Sequence, residues 1–294
     1  MKRKGFSLVL WTLSILLMLF VSIYQRRTGP SYPIKKIEKF GETSVQYEFN
    51  RSSLADKSLQ VKVIFNGTSE NAFIMFRVYK SGEKWSEVKM NRLGSEFSGW
   101  IQYLSTATYP VPLYRLGSEF SGWIQGLPPA GKVEYLVKII VNGEEHFLNN
   151  GRAAVARFRG DVPAIYMIPH IVLMFLAILF GARTGMEALR KDGDYSWMVI
   201  ATLIIVILGG LVFGPIIQNY AFGKFWTGVP FGFDLTDNKT LLSIIFWIAA
   251  FCLKKKSKYW VVAAAALMII IYFIPHSVLG SELDPKTGLI KTGF

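Results

Sequence analysis

The chain has 294 residues, of which 51% are hydrophobic and 15% aromatic, and its formal net charge is +13. The apolar residues are concentrated in several long runs, which excludes an ordinary soluble domain because about 20 consecutive apolar residues suffice to cross a membrane. Much of the basic charge lies in short segments beside those runs, so lipid headgroups are its expected partner and nucleic acid is not.

The first apolar run spans residues 6–24 and follows a basic N-terminus that contains Lys2, Arg3 and Lys4. Its length is typical of a membrane-spanning helix, and no small-x-small cleavage site follows it, as a secretory signal peptide would require. We therefore expect residues 1–27 to form an uncleaved N-terminal membrane anchor.

Short stretches of alternating polar and apolar residues fill the region between residues 44 and 158, for example "SVQYEF", "LQVKVIF" and "KVEYLVKIIV". Period-two alternation between turn signals such as "VNGEE" is typical of antiparallel strands joined by hairpins. The sequence therefore predicts an all-β sandwich, resembling immunoglobulin or fibronectin type III modules, within residues 28–163. The one cysteine, Cys252, lies outside this region, so the sandwich has to be stabilised without a disulfide.

The segment "RLGSEFSGWIQ" occurs twice without a change, at residues 92–102 and 115–125. Identical copies indicate a recent tandem duplication or an error in the source sequence, since the copies of an old structural repeat would have diverged. We expect one copy to bulge as a loop together with the intervening residues and the other to enter the strand before Pro128. The duplication predicts no function.

Four further apolar runs follow, and with the first they predict a bundle of five transmembrane helices. They lie at residues 164–182, 197–217, 241–253 and 259–279, the third extended backwards toward Asp237. We expect residues 164–294 to form a four-helix membrane domain with an exported loop at 218–240 and an exported C-terminal tail.

The basic residues of the short segments predict how the chain lies in the membrane. Three Lys or Arg residues precede the first run, three lie in 183–195 and four in 254–258, whereas 218–240 and 280–294 contain two each. Because basic segments stay in the cytoplasm, we expect a cytoplasmic N-terminus. Residues 28–163 and the C-terminal tail then lie on the outer face.

Two of the three histidines occur in near copies of one motif. "YMIPHIVL" at 166–173 contains His170, and "YFIPHSVLG" at 272–280 contains His276. In the predicted topology both lie in the outer half of the bilayer, where ionisable side chains are rare and usually functional. Each adjacent proline removes a helical hydrogen bond, which would let the imidazole depart from regular helix geometry.

Two imidazoles that face each other across a helical bundle can ligate a haem iron or a metal ion. The sequence therefore predicts a haem b site between His170 and His276, with Gly210 and Gly214 presenting a small-residue face to the macrocycle. Other interpretations stay open. The histidines can simply bond freed carbonyls, the glycines can simply allow helix packing, and the pair can serve a proton relay or transport.

Four carboxylates are expected on the same outer face as the two histidines: Asp234, Asp237, Glu282 and Asp284. A metal ion in place of haem would draw its ligands from His170, His276, Asp234, Asp237 and Glu282. Helix capping is the alternative for two of them, because Asp234 or Thr236 can cap the predicted fourth helix and Asp237 lies in its first turn.

Three tracts of the C-terminal half resemble stretches of uncharacterised bacterial inner-membrane proteins that pair an exported β-domain with a small helical bundle. They are "GDVPAIYMIPH" at 160–170, "GPIIQNYAFGKFWTGVPFGFDLTDNKT" at 214–240 and "PHSVLGSELD" at 275–284. The resemblance implies the bacterial inner membrane, with a periplasmic β-domain and C-terminus, and no particular activity.

These observations predict a redox-associated membrane subunit that binds haem b or a metal between the two histidines and exchanges electrons between quinol and a membrane or periplasmic protein partner. We expect an electron-transfer or accessory subunit rather than a stand-alone enzyme. The alternative is a non-catalytic scaffold or assembly subunit whose sandwich docks a partner protein. A small transporter is the third possibility, although the expected paired broken helices are missing from the sequence.

Overall fold

The computed structural model describes residues 2–55, 57–66, 71–93, 96–101, 127–276, 278 and 280–291. These residues form two compact units. The helical unit comprises the described residues of 2–30 and 162–281, and the β unit comprises those of Ser31–Asp161 and Glu282–Lys291. The tail at Glu282–Lys291 thus belongs to the β unit, although it follows the last helix in the sequence.

The helical unit contains five helices. They are α1 (Lys2–Thr28), α2 (Ala164–Leu189), α3 (Ser196–Phe222), α4 (Leu235–Leu253) and α5 (Tyr259–Phe273). By length and composition α1 to α4 can each cross a membrane, which confirms four of the five predicted membrane helices. The fifth, α5, has 15 residues and a length of roughly 22 Å, short of the ~30 Å hydrocarbon layer, because it ends before Pro275.

The core of the helical unit is built from small and apolar residues that let the helices approach closely. Gly185 lies so near α5 that a Cβ there would sit 2.5 Å from the Ala265 Cβ, and one on Gly181 would sit 2.6 Å from the Met268 Sδ. The buried cluster draws residues from every helix: Val21, Ala177, Ile178, Ala188, Val199, Val206, Ile244, Trp247, Ala250, Val261, Ala264, Ala265, Met268 and Tyr272.

The outward faces of the same helices carry large apolar side chains that are more than half exposed. Examples are Leu16 on α1, Ile165 on α2, Ile204 on α3, Ile245 on α4 and Ile270 on α5, all exposed. Such faces are costly in water and favourable against lipid tails. The surface of the unit is therefore compatible with a membrane protein.

The β unit contains 13 strands. They are β1 (Ile34–Phe40), β2 (Thr43–Phe49), β3 (Ser52–Leu54), β4 (Leu59–Asn66), β5 (Asn71–Val78), β6 (Ser86–Lys89), β7 (Asn91–Leu93), β8 (Glu96–Ile101), β9 (Lys132–Val141), β10 (Glu144–Phe147), β11 (Ala154–Arg159), β12 (Glu282–Leu283) and β13 (Ile290–Lys291). One sheet has the order β1-β2-β4-β8-β7, and the other has the order β3-β11-β9-β5-β6 with β10 paired to β9. The pair β12–β13 forms a separate hairpin.

Alternation along the strands places one face of each sheet in a common core. In β9 every second residue is buried, from Val133 to Val141, and β2 and β4 bury Tyr47, Phe49 and Val63 in the same cluster. The predicted β-domain is confirmed at this level. The immunoglobulin-like or fibronectin-like assignment is not, because the second sheet is mixed: β3 runs parallel to β11.

The first copy of the duplicated segment supplies β8 and most of β7, and β8 pairs with β4 in antiparallel register. Its neighbour β4 is a buried, alternating strand, so this copy contributes to the sheet. The second copy, residues 115–125, lies outside the described residues, as does the expected entry of one copy into the strand before Pro128.

The tail Glu282–Lys291 is attached to the β unit through both backbone and side-chain contacts. The Leu283 N–H donates to the Ala130 carbonyl at 3.0 Å, and the Lys132 Nζ lies 2.7 Å from the Glu282 Oε2. Burial lowers the pKa of Lys132 while the Glu282 carboxylate opposes that shift. Glu282 is thereby committed to an ion pair within the β unit.

Candidate functional site

The first Pro-His motif lies inside α2, where His170 reaches across to α3. The His170 Nδ1 is 3.0 Å from the Gly209 carbonyl oxygen. Since a carbonyl only accepts, Nδ1 carries the hydrogen in this bond and Nε2 is left as the acceptor. Gly209 belongs to the π-helical segment Ile207–Phe213 within α3, so the histidine bonds to an irregular stretch of its neighbour.

The glycines that were expected to face a macrocycle are packed against neighbouring side chains. A Cβ on Gly210 would sit 2.6 Å from the Thr240 Cγ2 of α4, and one on Gly209 would sit 2.8 Å from the Met174 Sδ of α2. Gly214 is less crowded, with only the Gly209 carbonyl within 4 Å of such an atom. The face at Gly210 is therefore packed against α4. Haem b and its ligands stay predictions of the sequence.

The second Pro-His motif behaves differently, because Pro275 ends α5 instead of lying within it. The backbone of Ile274 is extended, and its carbonyl oxygen accepts a hydrogen bond from the Lys239 Nζ of α4 at 2.8 Å. The Gln25 Nε2 of α1 lies 3.5 Å from the same oxygen. His276 follows immediately and is exposed. The motif thus brings α1, α4 and the end of α5 together around the Ile274 carbonyl.

A cavity opens beside this carbonyl, within the helical unit. It is lined by Gln25, Met174, Val206, Lys239, Thr240, Ser243, Ile271, Tyr272 and His276. His170 is not among the lining residues, although His170 and Lys239 both act electrostatically on the His276 ring. The structure therefore brings the second histidine, but not the first, to a cavity whose lining surface is largely apolar.

Two polar groups of α4 are buried at this cavity without the partners that such groups usually have. Lys239 is only 6% exposed, and among the described residues no carboxylate lies within ion-pair distance of its Nζ. Ser243, one helical turn further on, is 3% exposed, and its Oγ has no hydrogen-bond partner in the described part of the chain. An unsatisfied buried hydroxyl costs about 1–3 kcal/mol. A hydrogen-bond acceptor that reached the Ser243 Oγ would therefore be stabilised there.

Asp234 and Asp237 accept hydrogen bonds from the start of α4, from the loop before it and from Ser281. Asp234 caps α4 through its Oδ1, which accepts the Thr236 N–H at 2.8 Å, and its Oδ2 accepts the Ser281 N–H at 2.9 Å. Asp237 accepts the backbone N–H of Thr227 at 2.6 Å. The expected capping role is confirmed.

A metal site built from the predicted ligands stays a prediction. Glu282 belongs to the β unit, whereas His170, His276, Asp234 and Asp237 belong to the helical unit. No group of three or more His, Cys, Asp or Glu side chains placed to hold a metal ion occurs among the residues that the structure describes.

Sequence reasoning missed a second charged cluster, at the opposite end of the helical unit. The Arg183 guanidinium lies 2.6 Å from the Glu187 Oε2, and Arg190 lies 2.5 Å from the other oxygen of Glu187. Arg183 also donates to the Ser7 Oγ of α1 at 3.2 Å and lies over the Trp11 ring. The spacings i, i+4 and i, i+3 of these charges within α2 would have indicated the cluster.

Sequence reasoning also missed Lys239 as a site residue, because it treated Lys239 only as one of the two basic residues of the outer loop 218–240. The signal was its position just before the apolar run 241–253, on the same helix face as Ser243.

Comparison with known proteins adds no family. No protein-family model matches the chain, and no curated protein matches it. One solved structure, described as "Crystal structure of Br derivative BhCBM56", is similar over 41% of this chain and 97% of its own, with 7% sequence identity and a TM-score of 0.25. Similarity at that level carries no argument about fold or function.

Proposed function

We propose that the chain is a redox-associated, integral subunit of the bacterial inner membrane that serves the quinol pool. In this proposal α1 to α4 and the apolar run 259–279, which begins with α5, cross the bilayer, the N-terminus is cytoplasmic, and the β unit and the C-terminal tail are periplasmic. The distribution of basic residues supports this orientation, and the exposed apolar faces of the helices support the location.

One observation supports the redox assignment: Lys239 and His276 both line one cavity within the helical unit. Ionisable groups at membrane depth are expensive and are usually retained for substrate binding or proton movement. Lys239 can donate hydrogen bonds to a ligand, and a histidine can bind or release a proton near neutral pH. Both properties suit a subunit that handles quinol, whose oxidation releases protons together with electrons.

The test is respiratory electron flux in membranes of the source bacterium. Deleting the gene is expected to slow quinol-dependent reduction of an external acceptor, and the wild-type chain should restore it. Lys239→Met should fail to restore the flux, whereas Lys224→Met, which removes an exposed lysine from the loop before α4, should succeed. Flux that is unchanged by the deletion contradicts the proposal.

A scaffold is the second candidate, and an open sheet edge favours it. Strand β6 ends the second sheet, all four of its residues are exposed, and its outer edge has no described partner strand. An exposed edge can receive an extended segment of another protein. A stable partner that co-purifies with the His170→Ala, His276→Ala double variant, but not with Val88→Pro, would favour this role over the redox one.

A further inference from the structure

The loop between α3 and α4 exposes four large apolar side chains. They are Phe225, Val229, Phe231 and Phe233, and each is between 47% and 80% exposed. An exposed apolar patch of this kind usually marks a surface that another molecule covers. The position of the loop on the helical unit indicates which molecule that is.

The loop is fixed to the first turn of α4 instead of extending away from it. The Thr227 N–H donates to the Asp237 Oδ2 at 2.6 Å, and the Val229 N–H donates to the Asn238 Oδ1 at 2.7 Å. Gly228 lies so close to α4 that a Cβ there would sit 2.7 Å from the Asp237 Cβ. The exposed side chains are therefore presented at the level where α4 begins.

The length of α4 gives the depth of that level in a membrane. The helix has 19 residues, which is roughly 28 Å at the ordinary helical rise. It is followed by the turn 254–258, which contains four lysines, and lysines stay at the edge of the hydrocarbon layer. Because that layer is ~30 Å thick, the other end of α4, at Leu235, reaches the opposite edge. The loop then lies where the hydrocarbon meets the headgroups.

The composition of the loop suits this boundary. Aromatic side chains are enriched at both membrane–water interfaces, and three of the four exposed apolar side chains are phenylalanines. Within residues 223–233 the one charged residue is Lys224, which is exposed. A lysine can hold its ammonium group among headgroups while its stem stays in an apolar layer. The nearest carboxylates along the chain, Asp234 and Asp237, are buried.

The neighbouring helix ends carry exposed apolar side chains as well. Tyr220, in the last turn of α3, is exposed and stacks on Tyr166 in the first turn of α2. Ile165, beside Tyr166, is exposed too. A protein partner that covered the loop would also meet this lipid-facing rim, so a lipid surface is the simpler occupant.

We propose that the loop 223–233 is an interfacial anchor, which places Phe225, Phe231 and Phe233 in the headgroup boundary of the outer leaflet. The hydrogen bonds to Asp237 and Asn238 make the anchor set the depth at which α4 enters the bilayer. The inference goes beyond the redox role and requires only that the helical unit lies in a membrane.

The experiment is spin-label accessibility, measured by electron paramagnetic resonance on the full chain in nanodiscs of phosphatidylethanolamine and phosphatidylglycerol. Cys252→Ala removes the one cysteine, and Phe231→Cys then provides a single labelling site. Dissolved oxygen concentrates in lipid, whereas the nickel complex of ethylenediaminediacetate stays in water. The ratio of oxygen to nickel accessibility at position 231 should lie several-fold above that of an exposed residue of the β unit.

Two reference positions calibrate the ratio in the same cysteine-free background. Leu16→Cys reports lipid, because Leu16 is exposed on α1, and Phe147→Cys reports water, because Phe147 is an exposed phenylalanine of β10. All three positions are exposed, so the substitutions should leave the fold intact. Position 231 is expected between the two references.

Three outcomes overturn the inference. A ratio at position 231 equal to that at position 147 places the loop in water. Low accessibility to both reagents means that protein covers the loop. Dipolar broadening that disappears when labelled chains are diluted with unlabelled ones means that a second copy covers it. An aqueous ratio at position 16 would instead contradict the membrane location in the proposed function, whereas an aqueous ratio at position 231 alone removes only the anchor.

Discussion

Arg183 and Lys239 are both buried basic residues of the helical unit, and their surroundings are opposite in kind. Arg183, near the end of α2, is paired with Glu187, donates to Ser7 and lies over Trp11. Lys239, in the first turns of α4, donates a hydrogen bond to the Ile274 backbone carbonyl and lines a cavity, with no ion-pair partner among the described residues. A buried charge that is paired with a carboxylate holds helices together, whereas one without an ion-pair partner in the described part of the chain is available to a ligand.

The largest effect on stability is expected at Arg183. Arg183→Met should cost about 3–5 kcal/mol of unfolding free energy, because it leaves the buried Glu187 with Arg190 as its remaining partner. Denaturation of the purified protein in mild detergent measures this. Arg27→Met, at an exposed position of α1, is the matched control, and an equal loss in both variants would contradict a structural role for the Arg183 cluster.

The two histidines also differ in their surroundings, and the expected effects on stability are smaller. His170→Ala should lower the unfolding free energy by about 1–3 kcal/mol, since the Gly209 carbonyl loses a partner inside the bundle. His276→Ala should change it by less than about 0.5 kcal/mol, because the side chain is exposed. The same denaturation measurement checks both. Equal effects would show that the two Pro-His motifs have equivalent roles.

Lys239→Met should leave the unfolding free energy within about 1 kcal/mol of the wild type, or raise it. Replacing a buried charge by an apolar side chain of similar volume is often neutral or stabilising. The variant is therefore expected to separate stability from electron flux, in contrast to Arg183→Met. A loss of unfolding free energy as large as that of Arg183→Met would mean that the hydrogen bond from Lys239 to the Ile274 carbonyl stabilises the fold.

The smallest effect is expected at a charge pair on the β unit. The Lys291 Nζ lies 2.5 Å from the Asp284 Oδ2, and this bond lowers the pKa of Asp284 to about 2. A lowered pKa means that the contribution of the pair is present above the ordinary carboxyl pKa and is lost as the pH falls through about 2. In a carboxyl-carbon NMR titration, Lys291→Met should raise the midpoint toward the ordinary value, and an unchanged midpoint would contradict the assignment.

The sequence predicted the elements whose signal is local. Long apolar runs gave the helices α1 to α4, and period-two alternation gave strands such as β4 and β9, because burial on one side repeats with the geometry of each element. A cap at Asp234 or Thr236 was also predictable, and the structure shows Asp234 in that role, since the cap depends on residues only two positions apart. The end of the last helix was not: Pro275 stops α5 at Phe273, although the apolar composition continues.

The site needed information that no local pattern contains. The twin Pro-His motifs drew attention to His276, and the structure places that residue at a cavity with Lys239, thirty-odd residues earlier, whereas His170 does not line it. Which side chains reach the Ile274 carbonyl at the end of α5 depends on how α1, α4 and α5 pack. The glycines of α3 likewise indicate close approach without saying whether a helix or a ligand approaches.

The tail that begins at Glu282 has a consequence for the order of assembly. Its backbone bond to Ala130 and its side-chain bond to Lys132 join residues that follow α5 in the sequence to β9 and the turn before it, which are made before α2. The β unit therefore reaches this set of contacts only after every described helix has been synthesised. Until then the partly buried Lys132 lacks the Glu282 carboxylate that pairs with it.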